Sequence, residues 1–252
     1  MRITAETVAD GVTERLFELE VADERVPGVV WTPAGASGGR PLVLMGHGGS
    51  QHKRTDTMLA RAHRYVSTYG YAVAAIDAPD HGDRVTPERA EELAASIRDR
   101  IAEGRRLGRE VVAAMNVRAT RAVPEWQAAL DHLRTLDEVG TEHPVGYFGV
   151  SMGTVIGVPL VANEPRIAAA VLGLAGLIPD HSALAEAASR ITVPIEFVLQ
   201  SEDELVARPA GIALFDAFGS VEKTLHVNPG GHMGIPEFER ASWERFFARH
   251  LS

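Results

Sequence analysis

Three side chains with the means for acyl chemistry stand in unusual local settings. Ser151 lies between two glycines in Gly149-Val150-Ser151-Met152-Gly153. His232 lies in the glycine-rich run Pro229-Gly230-Gly231-His232-Met233-Gly234, and Ser201-Glu202-Asp203-Glu204 sets three acids side by side. A serine hydroxyl is a poor nucleophile at neutral pH. It needs a base within hydrogen-bond reach, and that base needs an orienting partner. Serine, histidine and one of the acids could fill these roles. A second glycine-rich turn is Gly46-His47-Gly48-Gly49. The serine pentad is weak taken alone. Glycine makes up 24 of the 252 residues, and serine is also a common helix N-cap.

The elements that would have to position these groups decide the matter. Arg15–Val21 and Val26–Thr32 read as two early strands, followed by Ala34–Arg40 as a hairpin-type loop. Short apolar runs bounded by breakers then read as buried strands: Leu42–Met45, Tyr71–Asp77, Val145–Phe148, Ala168–Leu174, Ile195–Leu199 and Lys223–Val227. Helical spacing falls between them, over Thr55–Tyr69, Arg118–Leu136, Met152–Asn163, Val206–Phe218 and Pro236–His250. Alternating strands and helices imply an α/β fold with a mostly parallel central sheet and helices on both faces. Sites of such sheets lie at the carboxyl ends of the strands. The glycine turn, the serine, the acids and the histidine each follow a different strand there.

This order of motifs resembles the α/β-hydrolase superfamily, in its dienelactone-hydrolase-like and small carboxylesterase branch, over nearly the whole chain. Gly149–Gly153 matches the strand-turn-helix elbow that presents a nucleophile, His47–Gly49 the oxyanion turn, and Ser151, Asp203, His232 the order nucleophile, acid, base. The resemblance implies Asp203 as the acid, with Glu202 and Glu204 as alternatives. The oxyanion donors would be the N–H groups of Met152 and Gly49, with Gly48 next in line. Dienelactone hydrolases proper use a cysteine nucleophile. This chain has no cysteine, so the resemblance implies serine-ester chemistry.

Other clusters carry less. Asp77–Arg84 gathers three aspartates and a histidine, but it looks like the superfamily's D-x-x-G-H-G turn with Asp80 in place of its first glycine, so no metal is expected. Ser50–Thr55 is a basic knot whose His52, Lys53 or Arg54 could face an acidic part of a substrate. His47, Gly48, His52 and Met115 are the candidate substrate-binding residues. Within Thr86–Val117, Leu93, Ile97 and Ile101 and then Leu107, Val111 and Met115 recur every fourth residue, with Gly104 and Gly108 interrupting the two sets. This spacing predicts two short amphipathic helices, either a lid insertion over about 86–117 or a surface excursion. Ala175–Arg190 is a second segment that could line the pocket. Pro159 should kink or interrupt its helix.

Composition sets the outer limits. The length fits a single domain over 1–252. A net charge of −9 argues against a nucleic-acid binder. No apolar run is long enough to span a membrane, and the first residues lack the apolar core of a signal peptide, so a cytoplasmic protein is expected. The expected function is a serine esterase acting on a small-molecule ester through an acyl-enzyme, without a cofactor. Oligomeric state is not legible. Amide or peptide cleavage, acyl transfer or perhydrolysis on the same residues, and a silent ligand-binding protein of the same fold are the alternatives.

Overall fold

The computed structural model describes residues 1–178 and 182–252. Its strands form one nine-stranded sheet in the order β1-β2-β3-β5-β4-β6-β7-β8-β9. They are β1 (Arg2–Ala9), β2 (Val12–Val21), β3 (Glu24–Pro33), β4 (Leu42–Gly46), β5 (Ala72–Ile76), β6 (Val145–Val150), β7 (Ile167–Gly173), β8 (Ile195–Gln200) and β9 (Lys223–Asn228). The helices are α1 (Asp56–Tyr69), α2 (Pro87–Ala102), α3 (Arg109–Leu133), α4 (Met152–Asn163), α5 (Ser182–Arg190), α6 (Arg208–Ala217) and α7 (Glu237–His250). From β5 through β9 the sheet is parallel, and β1, β2, β3 and β5 pair antiparallel.

Alternation along the central strands assigns the two layers. Leu42 and Leu44 of β4 and Tyr147 of β6 face α3 and α4, where Trp126, Leu130 and Ile156 meet them. Val43 and Met45, with Phe148 of β6, face α1 and α7 through Met58, Tyr65, Trp243 and Phe247. Covered on both sides, β4, β5 and β8 are buried at every residue, which is why they read as unbroken apolar runs. Among the described residues, no helix is long and apolar enough to cross a membrane.

The structure departs from the sequence reading in four places. It adds β1, an edge strand exposed at all eight residues, which therefore carries no apolar stripe. The two-residue turns Asp10-Gly11 and Ala22-Asp23, all at positive φ, fold β1, β2 and β3 into a meander, as hairpin turns of the primed types require. Residues 34–40 do not close a hairpin, because β3 pairs with β5 and β4 lies beyond β5. The second expected lid helix and the expected helix Arg118–Leu136 are one rod, α3. Its buried positions Met115, Ala119, Ala122, Trp126, Ala129 and Leu133 continue one stripe without a break. Finally, Pro159 does not end its helix: α4 runs on to Asn163, whose Nδ2 donates to Pro159 O at 2.7 Å.

One buried ion pair ties the loops after β4 and β5. The Asp77 carboxylate, fully buried, accepts from Lys53 N at 2.9 Å, Lys53 Nζ at 2.6 Å and Asp83 N at 2.9 Å. Gly82, at φ +55°, passes so close that a Cβ there would fall 2.2 Å from Asp77 Cγ. Removing one member of a buried pair strands the other charge. Lys53→Met should therefore cost about 3–5 kcal/mol of unfolding free energy, read from urea denaturation. A loss below about 1 kcal/mol would place the pair among the weak surface bridges.

Candidate active site

The β6–α4 junction is built from contacts that exclude side chains. A Cβ on Gly149 would fall 2.6 Å from Gly153 O, and one on Gly153 would fall 2.6 Å from Gly46 O. Ser151, the residue between them, sits at φ +58° and ψ −119°, a strained region for a residue with a Cβ. Its N–H donates to Gly173 O at 2.9 Å. The Tyr147 hydroxyl donates to Gly153 O at 2.7 Å, and Thr154 Oγ1 accepts from Gly173 N at 2.8 Å. These bonds hold the turn, and the turn lifts the Ser151 side chain off the sheet.

Ser151 Oγ lies 3.0 Å from His232 Nε2, and His232 Nδ1 lies 2.8 Å from Asp203 Oδ2. Asp203 and His232 are each 3% exposed. The other Asp203 oxygen accepts from Leu205 N at 2.8 Å and Val206 N at 2.9 Å, which fixes the carboxylate. Of the neighbouring acids, Glu202 is exposed, whereas Glu204 accepts from the His232 backbone N–H at 2.8 Å. A Cβ on Gly231 would meet Glu204 Oε1 at 2.2 Å, so glycine lets the loop close on that carboxylate. Gln200 Nε2 donates to Gly231 O at 3.3 Å from the end of β8. The sequence reading considered Glu204 only as an alternative to Asp203. Its anchoring role depends on a partner 28 residues away, beyond the reach of local pattern.

Met152 occupies the first position of α4, where a backbone N–H has no partner inside the helix. Gly49 lies across from it, with the position of a Cβ 3.8 Å from Met152 Cβ. The Gly49 carbonyl is within 2.9 Å of His81 Nε2, and Gly48 N already donates to Gln51 Oε1 at 3.4 Å. Met152 and Gly49 thus lie next to each other beside Ser151.

Two cavities meet at Ser151. One, of about 210 Å³, is apolar and reaches Leu107, Val112, Met115, Val155, Leu174 and Leu184. The other, of about 170 Å³, is lined by Gly48, Gly49, His232 and Trp243 and carries the two cations Arg61 and Arg240. Arg61 stacks on Phe148, 3.9 Å from the ring centroid, and burial pushes its guanidinium down to about 10. It sits on the buried stripe of α1 beside Met58, Ala62 and Tyr65, and a charge on that stripe was the signal the sequence reading passed over. Met115 lines both cavities. Above them, α2 is nowhere fully buried, and its Ile97 reaches the second cavity. The α2–α3 loop is pinned to the acid loop by Leu107 N donating to Leu205 O at 3.0 Å. Of the segment Ala175–Arg190, Ala175–Ile178 and Leu184 line the larger cavity; residues 179–181 lie outside the described residues.

Two expected substrate contacts are corrected. His52 is exposed, its Nδ1 accepts from Arg54 N at 3.2 Å, and it lines neither cavity at Ser151. Its neighbours in the basic knot face elsewhere, Lys53 toward Asp77 and Arg54 toward Glu14. His47 is 2% exposed and points into the protein. Its Nδ1–H donates to Gly48 O at 2.9 Å and its Nε2 accepts from Ala78 N at 3.0 Å. It therefore shapes the turn after β4 from behind. The Asp77–Arg84 cluster is likewise occupied by the protein itself: Asp77 and Asp83 hold Lys53, and Asp80 holds Arg118 and Arg121.

Comparison with known proteins follows the same lines. No protein-family model matches the chain, and no curated protein matches it. Among solved structures, the chain is 35% identical to a cold-adapted esterase from an Arctic intertidal metagenomic library, with 100% of each chain covered and a TM-score of 0.80. It is 17% identical to Est1E from Butyrivibrio proteoclasticus, solved with ferulic acid bound, over 93% of this chain and 98% of that one, with a TM-score of 0.68. It is 20% identical to a dienelactone hydrolase from Anabaena variabilis, over 96% and 100%, with a TM-score of 0.63.

The His47 ring yields a prediction about pH. Burial, and after it the nearby His81 ring, push its imidazole down to about 4 from an ordinary 6.5. The unfolded chain therefore binds the proton more readily than the folded one. This contribution to stability is complete above about pH 6.5 and is lost as pH falls toward 4, by on the order of 3 kcal/mol in all. His47→Asn should flatten the fall in urea stability between about pH 7 and about pH 5 relative to the parent. Parallel curves for the two proteins would contradict a buried neutral His47.

Proposed function

The chain belongs to the α/β-hydrolase superfamily, in the company of its dienelactone-hydrolase-like esterases, and as a carboxylic ester hydrolase we propose that it works through Ser151, His232 and Asp203 on esters of short acids. The observation that carries this reading is the continuous chain of contacts from Ser151 Oγ to His232 at 3.0 Å and on to Asp203 at 2.8 Å. His232 Nε2 takes the hydroxyl proton as Ser151 attacks the ester carbonyl. Asp203 holds the ring in the required tautomer and balances its charge. The N–H groups of Met152 and Gly49 receive the developing oxyanion. The proton then passes from His232 to the departing alkoxide, and a water activated by the same ring opens the acyl-enzyme.

The base also orients the substrate. His232 must reach the leaving oxygen, and it lines the smaller cavity and not the larger. The alcohol half therefore belongs on the side of Arg61 and Arg240, and the acyl half in the apolar cavity under Met115. That cavity is closed on one side by α3, and α2 with the start of α3 forms the lid of a single domain.

Ser151→Ala should leave the fold intact, lower ester turnover by on the order of 10⁴ or more, and abolish labelling by a fluorophosphonate. Asp203→Asn should cost about 10²–10⁴ in kcat, and Glu202→Gln less than about tenfold. A Ser151→Ala protein that still turns over and still labels would end this reading.

Chain length tests the pocket separately. Across p-nitrophenyl esters, kcat/KM should rise up to about fourfold per added carbon, since a buried methylene is worth about 0.8 kcal/mol, and then fall beyond about six carbons. Met115→Ala should move the optimum to longer acids. An optimum at about twelve carbons, or one unmoved in Met115→Ala, would contradict the small pocket that the 210 Å³ cavity suggests.

A further inference from the structure

Away from Ser151, β8, β9 and α7 bring Glu196, His226 and Glu239 together, with one donor atom from each within 4.8 Å of the others. His226 Nδ1 is 2.9 Å from Glu239 Oε2 and 3.8 Å from Glu196 Oε1. Glu196 and Glu239 are 6% and 3% exposed. Hydrogen bonding within the fold satisfies only part of this group. A single Nδ1–H serves one carboxylate, here Glu239. Glu196 Oε1, aimed into the cluster, is buried with no hydrogen-bond partner, an arrangement that costs about 1–3 kcal/mol when left as it is.

We propose that Glu196, His226 and Glu239 bind a divalent transition-metal ion, zinc by preference, at a structural site separate from the catalytic serine. A cation replacing the Nδ1 proton would give all three donors a partner at once. An imidazole with two carboxylates suits zinc, and the chain has no cysteine to offer a thiolate site instead. Tetrahedral bonds of about 2.0–2.2 Å place donors roughly 3.3 Å apart, and the separations of 2.9 and 3.8 Å bracket that spacing. Three protein donors leave a fourth position for water. The His226 side chain is 26% exposed at the edge strand β9, which gives the ion a way in.

The location gives the ion a task. His226 is in β9 and Glu239 in the first turn of α7, and the segment between them, 229–236, carries His232. An ion held by both residues clamps the two ends of that loop onto β8. It would steady the base without touching the reacting atoms.

Zinc chloride titrated by calorimetry into the full chain, after dialysis against EDTA, should report about one site per chain, and the melting temperature should rise with zinc. Glu196→Gln, Glu239→Gln and His226→Asn should each weaken zinc binding by about tenfold or more. Ser151→Ala and His232→Ala should keep it. Cobalt(II) in place of zinc should give the visible d–d absorption of a tetrahedral site, lost in the same three variants. Glu196→Gln is the safeguard for folding, because it removes a buried charge while keeping shape, and circular dichroism of the metal-free variant checks it. Absence of zinc binding at millimolar concentration would overturn the proposal. So would binding that is abolished by His232→Ala and untouched in the three ligand variants.

Discussion

The geometry of the site rests on one crowded place, where the end of β4, the end of β6 and the start of α4 touch through bare backbone. Gly46, Gly149 and Gly153 leave no room for a side chain among them. Between two of these glycines, Ser151 takes a left-handed conformation that costs of order 1–3 kcal/mol. It persists because Tyr147, Thr154 and Gly173 bind the turn from three directions. The same crowding sets the distance between Met152, which opens α4, and Gly49, which follows β4. The proposed oxyanion donors and the proposed nucleophile are therefore placed by a single packing constraint.

Around that turn, buried polar groups hold loops that a purely apolar core would leave loose. Asp77 and Lys53 knit the loop after β4 to the loop after β5, and His47 supports it from behind. Asp203 is fixed by two backbone N–H groups, and Glu204 and Gln200 grip the loop that carries His232. Each satisfied group exchanges solvation for a specific direction. Ser151, His232 and Asp203 thus meet in one arrangement even though every one of them sits on a loop or at the end of a helix.

Much of this was legible in the sequence, and the reasons are physical. Ser151, Asp203 and His232 each come directly after an apolar run, and a parallel sheet exposes its strand ends on one side, so chain order was enough to bring them together. What escaped notice depended on distant partners. Lys53 looked like part of a basic knot open to substrate because its acid is 24 residues away. His47 looked available to substrate because its acceptor role toward Ala78 spans 31 residues. β1 shows no apolar alternation, since it is exposed throughout, yet Asp10-Gly11 was the turn signal that could have revealed it. The break placed at Val117 ignored that the apolar spacing of Met115 runs on in phase to Leu133.

That unbroken α3 has a consequence for how the enzyme can change. Its first turns carry Met115 into the cavities, and the same rod buries Trp126 and Leu130 against the sheet. One continuous helix joins the part that would measure the substrate to the part that holds the fold, with Pro124 between them. A lineage under selection for bulkier esters would find mutations along this helix altering foldability and selectivity together. Diversification should then be easier through α2 and the 103–108 connection, where little is buried, leaving α3 as the slowly changing partner of the sheet.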